Sequence, residues 1–496
     1  MIKSNGGGSS QTITQSLSTT LVANKGLFTK IKVTLLSLAL VASSFVFTFS
    51  LSGCASRDNI LRVLNWTGYL CIATVQAFEE NYGLRVEIST FETNEAAYNL
   101  LVHQRTDFDV FVPSDYMASR LAREGHLVEL NYDLLPNVTN YIIQHNGNPL
   151  GHFEDWNPQN RFAVPYTQGT TGIMFNRRLL QERLGYTDLQ LQEWKEREGW
   201  GILWDSRLRG QIAVKDSFRL AFGVGALYAN RDALLAIPDQ IERGAKATYF
   251  YNSTSPENLQ AVQAAFNRLL GSGADSQNPR FGVDTDTHAM VANEIIMNME
   301  WSGQAVFAMF QNPDLYYFLP PEGANFWMDM FVIPQNARNV DAAHKFINWM
   351  FNPWAAASNI LTHFYTTTVD PKFYTVEYLG QEIYDYLTYF LVHSIPNIFG
   401  ETNAAGQPIS LADPEFYSNY VFFPHRAPHY EAFAILADFT PAQDALVLHV
   451  WNVARGGGES GLNTMDIVWL AVTTSAITLI AAALILLAIR RRRNAN

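Results

Sequence analysis

Cysteine is nearly missing from this chain, with two in 496 residues, Cys54 and Cys71. No disulfide framework can hold such a fold, so its stability rests on apolar burial. Basic residues are outnumbered, 34 Lys and Arg against 46 Asp and Glu, for a net charge of −12. That balance disfavours nucleic acid and anionic surfaces as partners and suits cationic ligands. Neither a GxxxxGK[ST] phosphate loop, a GxSxG elbow nor an HExxH pair occurs, which leaves ATPase, esterase and zinc-protease readings without support. His425 and His429 have a four-residue spacing, but Pro424 and Pro428 argue against the helix that would make it a metal site. The sequence therefore points to no cofactor and no metal.

Both ends carry membrane signals. Lys25, Lys30 and Lys32 precede an apolar run starting at Val33, followed by LSGC at 51–54. A basic region, a short apolar stretch and small residues make an export signal. The LSGC ending resembles a bacterial lipobox, which would place a lipid on Cys54. At the other end, residues 467–489 hold no charge, enough to span about 30 Å of bilayer as one helix. Arg490 to Arg493 follow at once and place the last residues on the cytoplasmic side. The roughly 400 residues between exceed one core, so two domains outside the membrane are expected.

Within that region the pattern alternates. Residues 61–65, 85–90 and 109–113 read as strands, and 74–81, 94–104 and 116–124 as helices. Such alternation predicts a parallel sheet covered by helices on both faces, an α/β fold. Ligands of open parallel sheets bind beyond the carboxyl ends of the strands. Trp66, Tyr69, Ser114 and Tyr116 fall at those ends rather than in the sheet. Residues 162–176 read as an extended run passing between lobes, 295–299 and 326–334 as strands, and 257–270, 303–311 and 340–351 as helices. Residues 370–455 read as helix-rich, and RGGGESG at 455–461 as a tether.

The strand at 326–334 carries FWMD, in which Trp327 and Asp329 bring an indole face beside a carboxylate. That pair suits an organic ammonium ion, because the ring attracts the cation and the carboxylate accepts its N–H groups. Trp301, 26 residues upstream, supplies a further aromatic. With 11 Trp, 22 Tyr and 32 Phe, an unselected aromatic is more often core than ligand.

In LNWTGY, FETNEAAY, DVFVPSDY, VPYTQGTTGI, MEWSG, PPEGANFWMDMFVIP and a helix ending FNP, the chain from about 61 to 370 resembles the spermidine/putrescine-binding family of ABC importers. The resemblance implies a two-lobed periplasmic-binding-protein fold of type II, with crossing strands as hinge, here followed by one C-terminal transmembrane helix. It implies lobe 1 from 58–166 and 327–372, and lobe 2 from 167–326 and 373–454. Residues 1–54 would be the leader, 455–466 the linker and 490–496 the basic tail. The implied ligand set is Trp66, Thr67, Tyr69, Ser114, Tyr116, Trp301, Trp327, Asp329 and Tyr365. Gly68, Ser217 and Leu220 stand where the family has carboxylates, so Asp115, Asp216, Ser217 and Glu300 are further candidates. The implied role is to carry a polyamine to a separate permease driven by a separate ATPase. Binding of another organic cation, or an extracytoplasmic enzyme on the same scaffold, are the alternatives.

Overall fold

A computed structural model describes residues 59–145, 148–149, 156–270, 276–282, 285–399 and 434–456. Cys54, the 467–489 span, the arginine tail, most of the tether and the His425/His429 pair lie outside them.

Strands β1 (Ile60–Trp66), β2 (Arg85–Phe91) and β3 (Val110–Phe111) pair in parallel, in the order β2-β1-β3. The short pair β4 (Gln144–His145) and β5 (Asn148–Pro149) stands apart. A fourteen-residue strand, β6 (Ala163–Asn176), is buried at every position. Beyond it come β7 (Ile212–Lys215), β8 (Arg280–Gly282) and β9 (Met297–Trp301), then β10 (Leu315–Phe318), β11 (Asn325–Val332), β12 (Thr366–Thr367) and β13 (Ala434–Ile435). The main path of the sheet is β2-β1-β3-β11-β6-β9-β7-β8.

The sheet is thus mixed, not parallel throughout. Its outer wings, β2-β1-β3 and β7-β8, follow the expected strand–helix alternation. The middle differs because β6 and β11 run antiparallel to one another and to the neighbours that link the wings. A chain that crosses from one wing and later returns must run in opposite directions, and these two strands are that crossing.

Element boundaries move by one or two residues from the sequence reading. The 94–104 helix is the larger change: it is α-helical over Asn94–Tyr98 and continues as a π-helical turn, Asn99–His103. Thr93 caps it, its side chain accepting from the Ala96 N–H. Buried apolar side chains from Leu61 to Ala454 form one connected cluster. The two cores expected from length are therefore continuous, since β6 and β11 thread both wings. Trp194, Trp200 and Trp204 all belong to this core. The 370–455 region supplies helices Val376–Phe399 and Pro441–Gly456. Among the described residues no helix is long and apolar enough to cross a membrane.

Candidate functional site

Register along β6 assembles the site. Asp329 pairs with Thr167, Trp327 with Gly169, and Trp301 with Thr171. Directly opposed residues in an antiparallel pair share a face, and alternate residues of one strand share a face. Asp329, Trp327 and Trp301 therefore follow one another along a single side of the crossing strand. The four steps from Thr167 to Thr171 span about 13 Å at the usual rise per residue.

Asp329 is the centre. Its side chain is 2 % exposed, and its two oxygens accept from Tyr69 Oη and Ser114 Oγ, each at 2.7 Å. Burial pushes its carboxyl up to about 7, while the two hydroxyl donors pull the other way. No ion pair reaches it among the described residues. Ser114 is placed by β3: the chain leaves the strand through Pro113, bridges Asp329, and enters the helix Asp115–Arg123 with Ser114 at the N-cap. Its hydroxyl does not cap that helix but donates to Asp329. Asn94 holds it there, accepting from the Ser114 N–H at 3.0 Å and donating to Oγ at 3.1 Å.

Aromatic rings surround this carboxylate. Trp66, the last residue of β1, lies 6.3 Å from Tyr69 and 4.3 Å from Phe91 between ring centroids. Tyr69 is 5.9 Å from Tyr365, and Tyr365 meets Trp327 edge-on at 5.0 Å. Two glycines make these rings fit. A Cβ at Gly169 would stand 2.4 Å from the Trp327 indole, and one at Gly303 would stand 2.5 Å from Tyr365. The indole N–H groups of Trp66 and Trp327 are buried with no acceptor among the described residues.

The other candidates divide. Thr67 is exposed on the loop after β1. Tyr116 donates to Glu95 Oε1 at 2.9 Å rather than toward Asp329. Asp115 is 2 % exposed and takes backbone N–H groups from Tyr116 and Met328. Burial raises its carboxyl to about 8, with the nearby Asp329 adding to the shift. Asp216 is exposed and paired with Arg455 at 2.6 Å, while Ser217 is the N-cap of the helix Phe218–Ala229, with no capping bond from its side chain.

Glu300 is not open to a ligand. It pairs with Lys215 Nζ at 2.5 Å, and both side chains are fully buried. It also accepts from Thr287 Oγ1, Asn298 Nδ2 and the Trp301 N–H. Burial shifts its carboxyl upward, and Lys215 opposes that shift.

Sequence reasoning missed Asn94, Glu95 and Lys215. The first two lie in FETNEAAY, at the carboxyl end of β2, where the strand-end argument could have found them. Lys215 ends the apolar run IAVK, a cation where burial is expected.

A family model for bacterial extracellular solute-binding proteins matches residues 73–373. The spermidine/putrescine-binding periplasmic protein of Salmonella typhimurium is 26 % identical over 300 residues, covering 60 % of this chain and 74 % of that protein. The spermidine/putrescine ABC transporter substrate-binding protein PotD of Streptococcus pneumoniae superposes with a TM-score of 0.55 at 22 % identity, over 80 % of this chain and 99 % of that one. The Tp0655 lipoprotein of Treponema pallidum gives 0.55 at 18 % identity with the same coverage. With the mixed sheet, these superpositions give the chain the two-lobed α/β fold of periplasmic binding proteins.

Proposed function

The chain belongs to the family of bacterial extracellular solute-binding proteins, and from that premise we propose that it captures an aliphatic amine of polyamine type for an ABC importer. The ammonium pairs with Asp329, and Trp66, Tyr69, Trp327 and Tyr365 enclose the methylene chain. Ser114 and Asn94 orient the carboxylate. The two wings are the lobes, 58–166 with 327–372 and 167–326 with 373–454, and they close over the ligand about β6 and β11. The closed form docks on a permease that a separate ATPase drives. Lipid on Cys54 and a membrane helix at 467–489 hold the binding domain at the outer face of the membrane.

One observation carries this reading. A buried carboxylate is held only by neutral hydroxyl donors, amid aromatic rings, with no cation beside it among the described residues. Unpaired buried charge is costly, and a ligand ammonium is the partner that removes the cost. Its relatives' names supply the amine class.

Titration calorimetry on the full-length chain in mild detergent tests it. Heat and a change in tryptophan emission are expected with at least one of putrescine, N-acetylputrescine and spermidine. Asp329→Asn should abolish both while leaving the circular dichroism intact. No heat with any amine, or undiminished affinity in the variant, would remove amine capture at Asp329.

A further inference from the structure

Lys215 brings a resident ammonium to the second half of the site. Its Nζ lies 4.7 Å from the ring centroid of Trp301, 2.5 Å from Glu300 Oε1 and 2.7 Å from Gln304 Oε1. Trp301 is the indole reached two register steps beyond Trp327 along β6. The quadrupole that would attract a second ligand cation there is engaged by the protein's own.

We propose that Lys215 sets the charge of the cargo, so that the site takes an aliphatic amine with one ammonium at Asp329 and an uncharged far end bearing a hydrogen-bond acceptor. This rests on the amine reading above and narrows it. Two observations support it independently.

The first is a count of places for positive charge. Glu300 is saturated by Lys215 and three hydrogen-bond donors. Asp115 takes two backbone N–H groups, Asp216 takes Arg455, and Arg219 lies near enough to Tyr116 and Glu95 to act on both electrostatically. Of the carboxylates named at the site, only Asp329 and Glu95 have neither an ion pair nor a backbone donor among the described residues, each being held by hydroxyl groups. A dication or trication would bring a second ammonium toward the like charge of Lys215 and toward a Glu300 whose carboxylate is already occupied.

The second is the pair of buried indole N–H groups, on Trp66 and Trp327, that lack acceptors among the described residues. An ammonium donates and cannot accept. A carbonyl oxygen can accept from such a donor, and a buried donor left unmade is destabilising. N-acetylputrescine has the required form, one ammonium and one amide.

The test compares N-acetylputrescine, putrescine and spermidine by competition calorimetry on the full-length chain. The expected order puts N-acetylputrescine at least tenfold tighter than either polyamine. In Lys215→Met/Glu300→Gln, which removes the pair together and leaves no lone buried charge, the ratio should move at least tenfold toward putrescine. Putrescine or spermidine bound as tightly as N-acetylputrescine by the unaltered chain overturns the proposal while amine capture stands. No binding of any amine overturns both. If the double variant fails to fold, the ratio on the unaltered chain decides alone.

Discussion

Two neighbouring acids, Asp115 and Asp329, differ in role because their partners differ. Asp115 is knitted into the backbone, whereas Asp329 faces two hydroxyls that can reorient as its charge changes. At neutral pH Asp115, raised to about 8, keeps its proton, and Asp329, raised to about 7, is poised to lose its own. An ammonium needs the ionised form, so affinity should rise with pH through about 7, with a shoulder toward 8. Below 7 it should fall about tenfold per unit, following the single-proton linkage. Stability of the empty protein should run the other way. A folded-state carboxyl raised above its unfolded value contributes stability in acid, which is lost as pH climbs from the ordinary carboxylate range to about 7. Calorimetry from pH 5.5 to 8.5 beside thermal unfolding checks both signs; a flat affinity profile would exclude Asp329 as the ligand's partner.

At the level of elements, the strand-end rule is what makes part of this cluster legible in the sequence. It singles out Trp66, Tyr69 and Ser114 from 65 aromatics and many serines; Tyr69 and Ser114 donate to Asp329, and Trp66 lies against Tyr69. What it could not give was pairing across long separations. That Glu300 meets Lys215, 85 residues earlier, depends on β7 lying beside β9. The antiparallel middle was also hidden, because β6 and β11 look alike whichever way they run. Tyr116 lies beyond the strand end, in the first turn of Asp115–Arg123, and Glu95 holds its hydroxyl. Gly303 offers a test at this scale. It lies in the first turn of Ser302–Gln311, where alanine is the better helix former. Gly303→Ala should nonetheless destabilise the protein by roughly 1–3 kcal/mol and weaken binding, because its Cβ enters the Tyr365 ring. A raised melting temperature with unchanged affinity would show that the ring is free to move aside.

Across the whole molecule, the wings are tied by charge as well as by strands. Arg120, on the helix Asp115–Arg123, and Arg219, on Phe218–Ala229, share Asp444 at 3.6 and 3.2 Å. Arg120 and Arg123 also pair with Asp438. Asp444→Asn removes the shared acid, and the closed form should lose about 1 kcal/mol, a several-fold weakening of ligand affinity that added salt reproduces in the unaltered chain. X-ray scattering should then report a larger radius for the variant without ligand. Equal radii, with salt-insensitive affinity, would mean that the acid does not hold the wings together.

The late strand β13 rejoins the sheet beside β11, Ala434 against Asn325 and Ile435 against Phe326. Those positions lie one and two residues before Trp327, so the polypeptide leading into the last helix is stitched to the strand bearing the carboxylate. A shift of the last helix would thus be passed by two rungs of backbone pairing to the strand that carries Asp329, which makes the closing segment a lever on the crevice.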